Sequence, residues 1–221
     1  MKNSFSYQQS LPLKLRPSLD RHDFIVGESN KEAVNWIDSY SIWKYNGLII
    51  IGPNSSGKSH LVSTLKHKTN CIVLKSNDIN KEKLDLLNLR DLVIENIEEI
   101  NNHNFFLHTI NLLKEKKFKV ILTSRVAIQD MNIKLHDLRS RLLALPSTKI
   151  LLPTDDVLKG IIIKLSKDKG LSLNNSTINF IVSHIERSYI AIHTFIDKLD
   201  RLALENKKKI TIPFIKKLLE K

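Results

Sequence analysis

The chain has 221 residues and one cysteine, Cys71, so it can bury a substantial apolar core, cannot form an internal disulfide and fits a reducing environment. Its 35 Lys and Arg against 23 Asp and Glu give a formal net charge of +12, which would attract nucleic acid or acidic partners. No stretch reaches membrane-spanning length and the first residues lack a secretory apolar core, so we expect a soluble, cytoplasmic protein without membrane contact.

Residues 1–21 have the composition of an extended, flexible segment. Two prolines, Pro12 and Pro17, disfavour helix there. Such a tail is ordinarily a disordered terminus, but a glutamine followed by spaced leucines is also typical of a peptide that docks into an apolar groove of a partner. The residues alone leave both interpretations open. The candidate docking residues are Gln8, Gln9, Leu11 and Leu13.

A lead-in segment, residues 24–27, passes through Asn30 into a helical pattern whose apolar residues are Ala33, Val34, Trp36 and Ile37. We expect this segment to fold against the ligand site. Gly27 would allow the backbone to approach the ligand closely.

The most informative stretch is the phosphate-binding pattern G-x-x-x-x-G-K-[ST] at residues 52–59. It follows the strand-like run at 48–51 and opens into a helical pattern, as that pattern requires. Glycine freedom lets successive N–H groups converge on phosphate oxygens, and the helix N-terminus favours the anion. Lys58 would reach the β and γ phosphates and Ser59 would ligand Mg²⁺. The predicted nucleotide-binding residues here are Gly52, Pro53, Asn54, Ser55, Ser56, Gly57, Lys58, Ser59 and His60.

Further strand-like runs follow the phosphate loop, with helical patterns between them. They lie at residues 71–74, 92–95, 120–123 and 149–152. Alternating strands and helices predict an α/β fold with a mostly parallel, doubly wound sheet and a ligand at the carboxyl ends of its strands.

From Pro153 onward the pattern is helical only, with apolar stripes that predict a small bundle. Thr154, Ser176 and Ser188 are candidate helix caps, and Pro213 fits the first turn of a last helix. We therefore predict three parts. These are a flexible N-terminal segment (1–21), a nucleotide-binding α/β domain (22–153) and a helical lid domain (154–221).

Polar residues at two strand ends are candidates for chemistry. Glu95 ends the 92–95 strand and would hold the Mg²⁺ shell, whereas the next residue, where a second carboxylate would polarise the attacking water, is Asn96. An amide cannot take up that proton, so hydrolysis by this chain alone should be slow. Thr123 could sense the γ-phosphate or simply cap the following turn. Arg141, on a short helical pattern, is either a solvated side chain or an arginine that enters a neighbour's nucleotide site.

Several of these stretches together resemble the AAA+ module of the DnaA-like family, and within it the Hda branch of regulatory inactivators of DnaA. The absence of the helix-turn-helix domain that DnaA carries favours that branch. The matching stretches are FIVGESN (24–30), GPNSSGKSHL (52–61), IENIE (94–98), LRSRL (138–142), LDR (199–201) and ITIPFIK (210–216).

The resemblance implies a P-loop AAA+ module with a helical lid, holding ADP or ATP with Mg²⁺. Arg141 would be the arginine finger, presented to ATP on DnaA so that hydrolysis prevents re-initiation. Residues 8–13 would dock on the sliding clamp, the β subunit of DNA polymerase III, which would bring the chain to DNA indirectly. Self-association is left open. Three departures from the family pattern, Glu95 for Asp, Arg125 for Asp and Ile190 for Arg, weaken the expectation of tight triphosphate binding and of intrinsic turnover.

Two other interpretations stay open on the sequence. A stand-alone P-loop ATPase would turn over ATP rapidly by itself, which Asn96 and Ile190 argue against. A nucleotide-bound adaptor would recruit DnaA without catalysis and would tolerate loss of Arg141.

Overall fold

A computed structural model describes residues 21–79, 90–206 and 210–219. Its five strands are β1 (Gly47–Ile51), β2 (Ile72–Lys75), β3 (Leu92–Glu95), β4 (Val120–Ser124) and β5 (Ser147–Lys149). Its α-helices are α1 (Lys31–Asp38), α2 (Lys58–Lys68), α3 (His103–Glu115), α4 (His136–Leu143), α5 (Asp155–Asp168), α6 (Asn175–His184), α7 (Tyr189–Asn206) and α8 (Ile212–Leu219). No helix within these ranges is both long enough and apolar enough to cross a bilayer.

The strands form one parallel sheet in the order β2-β3-β4-β1-β5, which confirms the predicted α/β architecture. Strands β1 and β4 are buried along their whole length because helices cover both faces of the sheet. Side chains of β1 alternate between two apolar clusters. Leu48 and Ile50 face α1 and α2, whereas Ile49 and Ile51 face α3 and α4.

The last four helices have an apolar cluster of their own, built on residues such as Leu158, Ile181, Ile196 and Leu218. Contacts with the sheet part are made by Val157 and Tyr189, which belong to the cluster around α1 and α2. The Tyr189 hydroxyl donates to Leu151 O at 3.1 Å and lies 3.4 Å from Ser29 Oγ. The helical part is therefore joined to the sheet by specific contacts near the carboxyl end of β1.

The edge strand corrects one prediction. The apolar run at 149–152 was expected to be the strand, but β5 comprises Ser147–Lys149. Leu151 and Leu152 are 58% and 61% exposed. An edge strand needs few apolar side chains, and here only Thr148 is buried within β5. Apolar content alone therefore placed the start of the strand two residues too late and its end three residues too late.

Helix caps give a mixed outcome. Ser188 Oγ accepts from Ala191 N at 3.2 Å, which confirms that cap. The first turn of α6 is capped by Asn174, whose side chain accepts from Thr177 N at 2.8 Å, so the prediction of Ser176 was wrong. Thr154 occupies the N-cap position of α5 without a side-chain cap bond. Asn and Ser cap about equally well, so position decides: Asn174 lies one turn ahead of Thr177 and Ile178, the first buried residues of α6.

A polar network ties the turn after α1 to the starts of β3 and β4. The Tyr40 hydroxyl donates to Asp91 Oδ2, and Asp91 Oδ1 accepts from Lys119 N at 2.6 Å. Lys119 Nζ donates to Tyr40 O at 2.7 Å and lies 4.4 Å from the centre of the Tyr40 ring. Burial first, and then the bond to Asp91, raises the pKa of Tyr40 above its ordinary value.

Candidate nucleotide site

The phosphate loop connects the carboxyl end of β1 to α2. Two residues in it, Ser55 and Gly57, have left-handed backbone conformations with φ of 60° and 87°. Gly57 is the N-cap residue of α2, so the unpaired N–H groups of the first helical turn face the loop's cavity. A Cβ on Gly57 would also lie 2.9 Å from Phe24 Cε2. Both backbone conformation and space therefore require glycine there.

Lys58 is the buried cation of the loop. The residue is only 7% exposed. Its Nζ atom donates to Gly52 O at 2.6 Å and to Pro53 O at 2.9 Å. Burial lowers the pKa of Lys58. The carboxylates of Glu98 and Glu95 act in the opposite direction and raise it, whereas the positive charge of Arg125 lowers it further. A phosphate group would favour the charged form, so this lysine is suited to an anionic ligand.

A cavity of about 430 Å³ opens beside the loop, a size within the range of roughly 300–1,000 Å³ typical of small-molecule sites. One wall is the loop, from Asn54 to His60, together with Asn96. The lead-in segment contributes Phe24 and Ile25, which confirms that it folds against the site. An apolar wall facing a polar, N–H-rich loop is the combination that a nucleotide base and its phosphates need.

Gly27 plays a different part from the one predicted. A Cβ there would lie 2.3 Å from Val157 Cγ2, so the close approach is to α5 and not to a ligand. The lead-in is fixed instead by Asn30, whose side chain accepts from Gly27 N at 2.9 Å and donates to Ile25 O at 2.8 Å.

The helical part supplies cavity residues that the sequence did not reveal. They are Ile161, Lys164, Leu165 and Asp168 on α5 and Tyr189 and His193 on α7. Their spacing predicted only bundle packing, and no local motif marks them. Burial lowers the pKa of His193, with Asp197 opposing the shift and Lys164 adding to it.

The ends of β3 and β4 meet behind the loop. Asn96 has a left-handed backbone with φ of 58°, and its N–H donates to Thr123 Oγ1 at 3.2 Å. Ser124 Oγ accepts from Val126 N at 3.0 Å and donates to Val126 O at 2.7 Å. The hydroxyls of Thr123 and Ser124 thus hold turns, and Asn96 is the residue of this group that lines the cavity.

Glu95 is the candidate carboxylate ligand for Mg²⁺. Its Oε1 atom is buried and has no hydrogen-bond partner, which is the situation of a metal-ligating carboxylate whose bond is made to an ion. Clusters of three or more His, Cys, Asp or Glu do not occur among residues 21–79, 90–206 and 210–219. Ser59 lines the cavity and Glu95 does not, so a Mg²⁺ ion held there would rely on the Ser59 hydroxyl, phosphate oxygens and water, with the Glu95 carboxylate as a further candidate ligand from the neighbouring strand end.

Arg141 lies at the other end of the sheet. It lines a groove with Asn46, which precedes β1, and with Val120, the first residue of β4. Its side chain is 36% exposed, and Nε lies 3.2 Å from Asp137 Oδ1, one helical turn away on α4. Arg141 is therefore separated from the phosphate loop by the length of β1.

Comparison with known proteins shows which proteins these features resemble. Residues 156–219 match the family profile described as Hda, lid domain. The chromosomal replication initiator protein DnaA of Aliarcobacter butzleri is 25% identical over 232 residues, covering 93% of this chain and 53% of that protein. DnaA of Buchnera aphidicola is 26% identical, covering 90% and 52%. The chain thus spans about half the length of these curated relatives.

Solved structures agree on the fold. Domain III of Thermotoga maritima DnaA has a TM-score of 0.79 at 19% identity and covers 93% of this chain and 97% of that chain. AMPPCP-bound DnaA from Aquifex aeolicus has a TM-score of 0.70 at 21% identity, covering 87% and 68%. The RuvB Holliday junction branch migration motor of Thermotoga maritima has a TM-score of 0.70 at 16% identity, covering 92% and 72%.

The chain is an Hda-like, DnaA-related AAA+ protein. Its parallel sheet is the α/β part of an AAA+ module and its four last helices are the lid.

Two of the departures from the family pattern can be located in this Hda-like protein. Arg125 is exposed and pairs with Glu98, 2.5 Å from Nε, and with Glu99, so its charge is directed to the turn after β3. Ile190 is 46% exposed and does not line the cavity, whereas Tyr189 and His193 on the same helix do. The third, Glu95, is the residue described above whose Oε1 atom is buried without a hydrogen-bond partner.

Proposed function

We propose that this Hda-like protein is a cytoplasmic regulator of replication initiation, one that holds ADP or ATP and stimulates ATP hydrolysis on DnaA in trans. Hydrolysis would convert DnaA to its ADP form and prevent re-initiation. The observation that carries the proposal is the placement of Arg141 and the phosphate loop at opposite ends of β1. An arginine so placed cannot reach its own chain's nucleotide, so a phosphate that it stabilised would belong to a neighbour.

The chain's own nucleotide would be bound by residues 52–60, with Lys58 on the phosphates and the apolar wall against the base. Mg²⁺, held by Ser59 and Glu95, would neutralise phosphate charge when bound. Because both the sheet part and the lid line this cavity, the nucleotide would act as a structural ligand between them. Asn96 lines the cavity with an amide that cannot act as a general base, so turnover at this site should be slow.

At the neighbour's site the Arg141 guanidinium would stabilise charge that develops on the transferred phosphoryl group. Arginine fingers contribute about 10³–10⁵ in kcat in NTPases where they act. The Asp137 carboxylate lies 3.2 Å from Nε without a hydrogen bond to it, and the fork toward phosphate oxygens would be formed by the two terminal amines of the guanidinium.

Docking on the DNA-loaded sliding clamp through Gln8, Gln9, Leu11 and Leu13 is part of the proposal. These residues lie outside the described part of the chain. Changing Gln8 and Gln9 to Ala should weaken retention of the protein by immobilised clamp. Unaltered retention would remove the clamp peptide from the proposal while leaving the finger in place.

The deciding experiment measures ATP hydrolysis by DnaA with clamp and DNA, with this protein or its Arg141→Ala variant added. We expect Arg141→Ala to abolish most of the stimulation. Arg139→Ala is the matched control, since Arg139 loses the same charge on the same helix but contacts Gln129 O instead. Equal stimulation by wild type and Arg141→Ala would refute the finger and leave the adaptor interpretation. Brisk hydrolysis by the pure protein alone would favour a stand-alone ATPase.

A further inference from the structure

The groove that Arg141 lines has an apolar floor. It holds about 270 Å³ and lies at the amino ends of β1 and β4. The floor is made by Leu113 from the last turns of α3, Phe118 from the loop that follows, and Leu145 from the loop before β5. All three side chains pack in the cluster that covers this face of the sheet, so the floor is a fixed surface of the core. We call it the Arg141 groove.

The rim of the Arg141 groove is positively charged. Lys44, Lys114 and Arg141 line it, and they come from three separate segments of the chain. No acidic residue of the described chain lines the groove, and neither lysine is ion-paired with a described carboxylate. The nearby Asp137 contacts Arg141 through Nε. Two exposed lysines therefore lie beside an apolar recess without a carboxylate partner among residues 21–79, 90–206 and 210–219.

We infer that the Arg141 groove receives an acidic, apolar segment of a partner protein, with one large apolar side chain on the floor and carboxylates opposite Lys44 and Lys114. The inference rests on the proposed function, because the partner is the protein whose nucleotide Arg141 approaches. Charge complementarity assigns this occupant. A carboxylate facing the lysines would leave the terminal amines of Arg141 for phosphate.

Size and shape favour a protein side chain over other ligands. The volume of about 270 Å³ falls just under the range of roughly 300–1,000 Å³ of small-molecule sites and suits one anchoring side chain in a desolvated pocket. Single-stranded nucleic acid would need a series of aromatic faces along a basic track. Here Tyr45 is the exposed aromatic side chain on the rim, while Phe118 forms part of the floor.

With a partner segment bound, the Arg141 groove and the Arg141 side chain would control different quantities. The groove would set the affinity for the partner, and Arg141 would set the rate of hydrolysis once the partner is bound. Changes in the groove that spare Arg141 should raise the concentration of this protein needed for half-maximal stimulation. The rate at saturation should stay the same.

Two variants and two matched controls test this. Ala144→Trp places a bulky ring over the floor, and Leu143→Trp adds the same ring at the neighbouring exposed residue, which does not line the groove. Lys114→Glu reverses a rim charge, and Lys116→Glu makes the same reversal two residues away, outside the groove. Thermal melting confirms that each variant is folded.

The measurements are the affinity for DnaA loaded with AMPPCP and the hydrolysis rate on ATP-loaded DnaA at saturating protein. Ala144→Trp and Lys114→Glu should each weaken binding about tenfold or more, the controls less than about twofold, and all four should keep the saturating rate within about twofold. If the groove variants bind more weakly but Arg141→Ala stimulates hydrolysis as well as wild type, the groove is supported and the finger is refuted. Full affinity in both groove variants would overturn the inference. So would a loss confined to binding of a fluorescent oligothymidylate, which would make the groove a nucleic-acid site.

Discussion

Lys58 and Arg141 lie at opposite ends of β1, the first at its carboxyl end and the second beside its amino end. Five residues of strand at roughly 3.3 Å each separate the two ends by about 16 Å. An arginine side chain does not cover that distance through a packed sheet. The molecule therefore has one end that can hold a nucleotide and another that can offer a cation, which predicts a head-to-tail contact with its partner.

Loss of the Lys58 ammonium should weaken nucleotide binding. Charge-assisted hydrogen bonds contribute about 1.5–3 kcal/mol, so Lys58→Ala should raise the Kd for ADP about tenfold to a hundredfold. Isothermal titration with Mg²⁺ and ADP measures this. Lys66→Ala, an exposed lysine on the same helix, is the control and should bind as wild type. An unchanged Kd in Lys58→Ala would place the nucleotide elsewhere.

Restoring a carboxylate at residue 96 should raise intrinsic ATP hydrolysis. Asn96 lines the cavity in a left-handed conformation that Asp also tolerates, so Asn96→Asp should fold normally. General-base catalysis contributes about 10²–10⁴, and we expect a gain of at least about tenfold in steady-state phosphate release. Asn102→Asp adds the same charge at the N-cap of α3, where Asp caps as well as Asn, and should not change turnover. No gain in Asn96→Asp would mean that the missing base is not what limits hydrolysis.

Asp137 should act as a positioning residue for Arg141. Exposed ion pairs one helical turn apart contribute about 0.3–0.5 kcal/mol, so Asp137→Asn should lower stimulated hydrolysis only about twofold. The loss should appear in the rate at saturating protein and not in the concentration for half-maximal stimulation. Asp130→Asn, an exposed acid outside α4, is the control. A loss as large as that of Arg141→Ala would show that Asp137 contacts the partner itself.

The Tyr40 hydroxyl should stabilise the fold in a pH-dependent way. Tyr40→Phe leaves the Oδ2 atom of Asp91 without its donor and should lower the free energy of unfolding by about 1–3 kcal/mol near neutral pH. Because the pKa of Tyr40 is raised in the folded state, this contribution is fully present below the unfolded value of about 10 and is lost as pH rises above it.

Urea unfolding of wild type and Tyr40→Phe near neutral pH and at about pH 11 measures this. The difference in unfolding free energy should shrink at the higher pH. Tyr45→Phe, whose ring is exposed, controls for loss of a hydroxyl and should show little change at either pH. A difference that grew with pH would contradict the assigned hydrogen bond.

The sequence predicts those parts of the site that are local in the chain. The phosphate loop is one such part, because Gly57 and Lys58 carry their conformational and electrostatic roles within a few residues. Strand β5 was misplaced, because pairing with β1 selects Ser147–Lys149 and not the more apolar residues after it. Cavity residues such as Tyr189 and His193 escaped prediction because their role depends on how α5 and α7 pack against the sheet. The sequence also could not predict at which end of the sheet Arg141 lies, because that depends on the topology of the fold and is not encoded in a local motif.

Tyr189 joins the lid to Leu151 and Ser29 next to a cavity whose walls belong to two separate apolar cores. A ligand that fills this cavity fixes the orientation of one core against the other. The four last helices would then rotate as one body when the cavity is filled or emptied, and their exposed surfaces would move with them. In this way the occupancy of a small pocket can be communicated to a broad surface without any change in that surface's own residues.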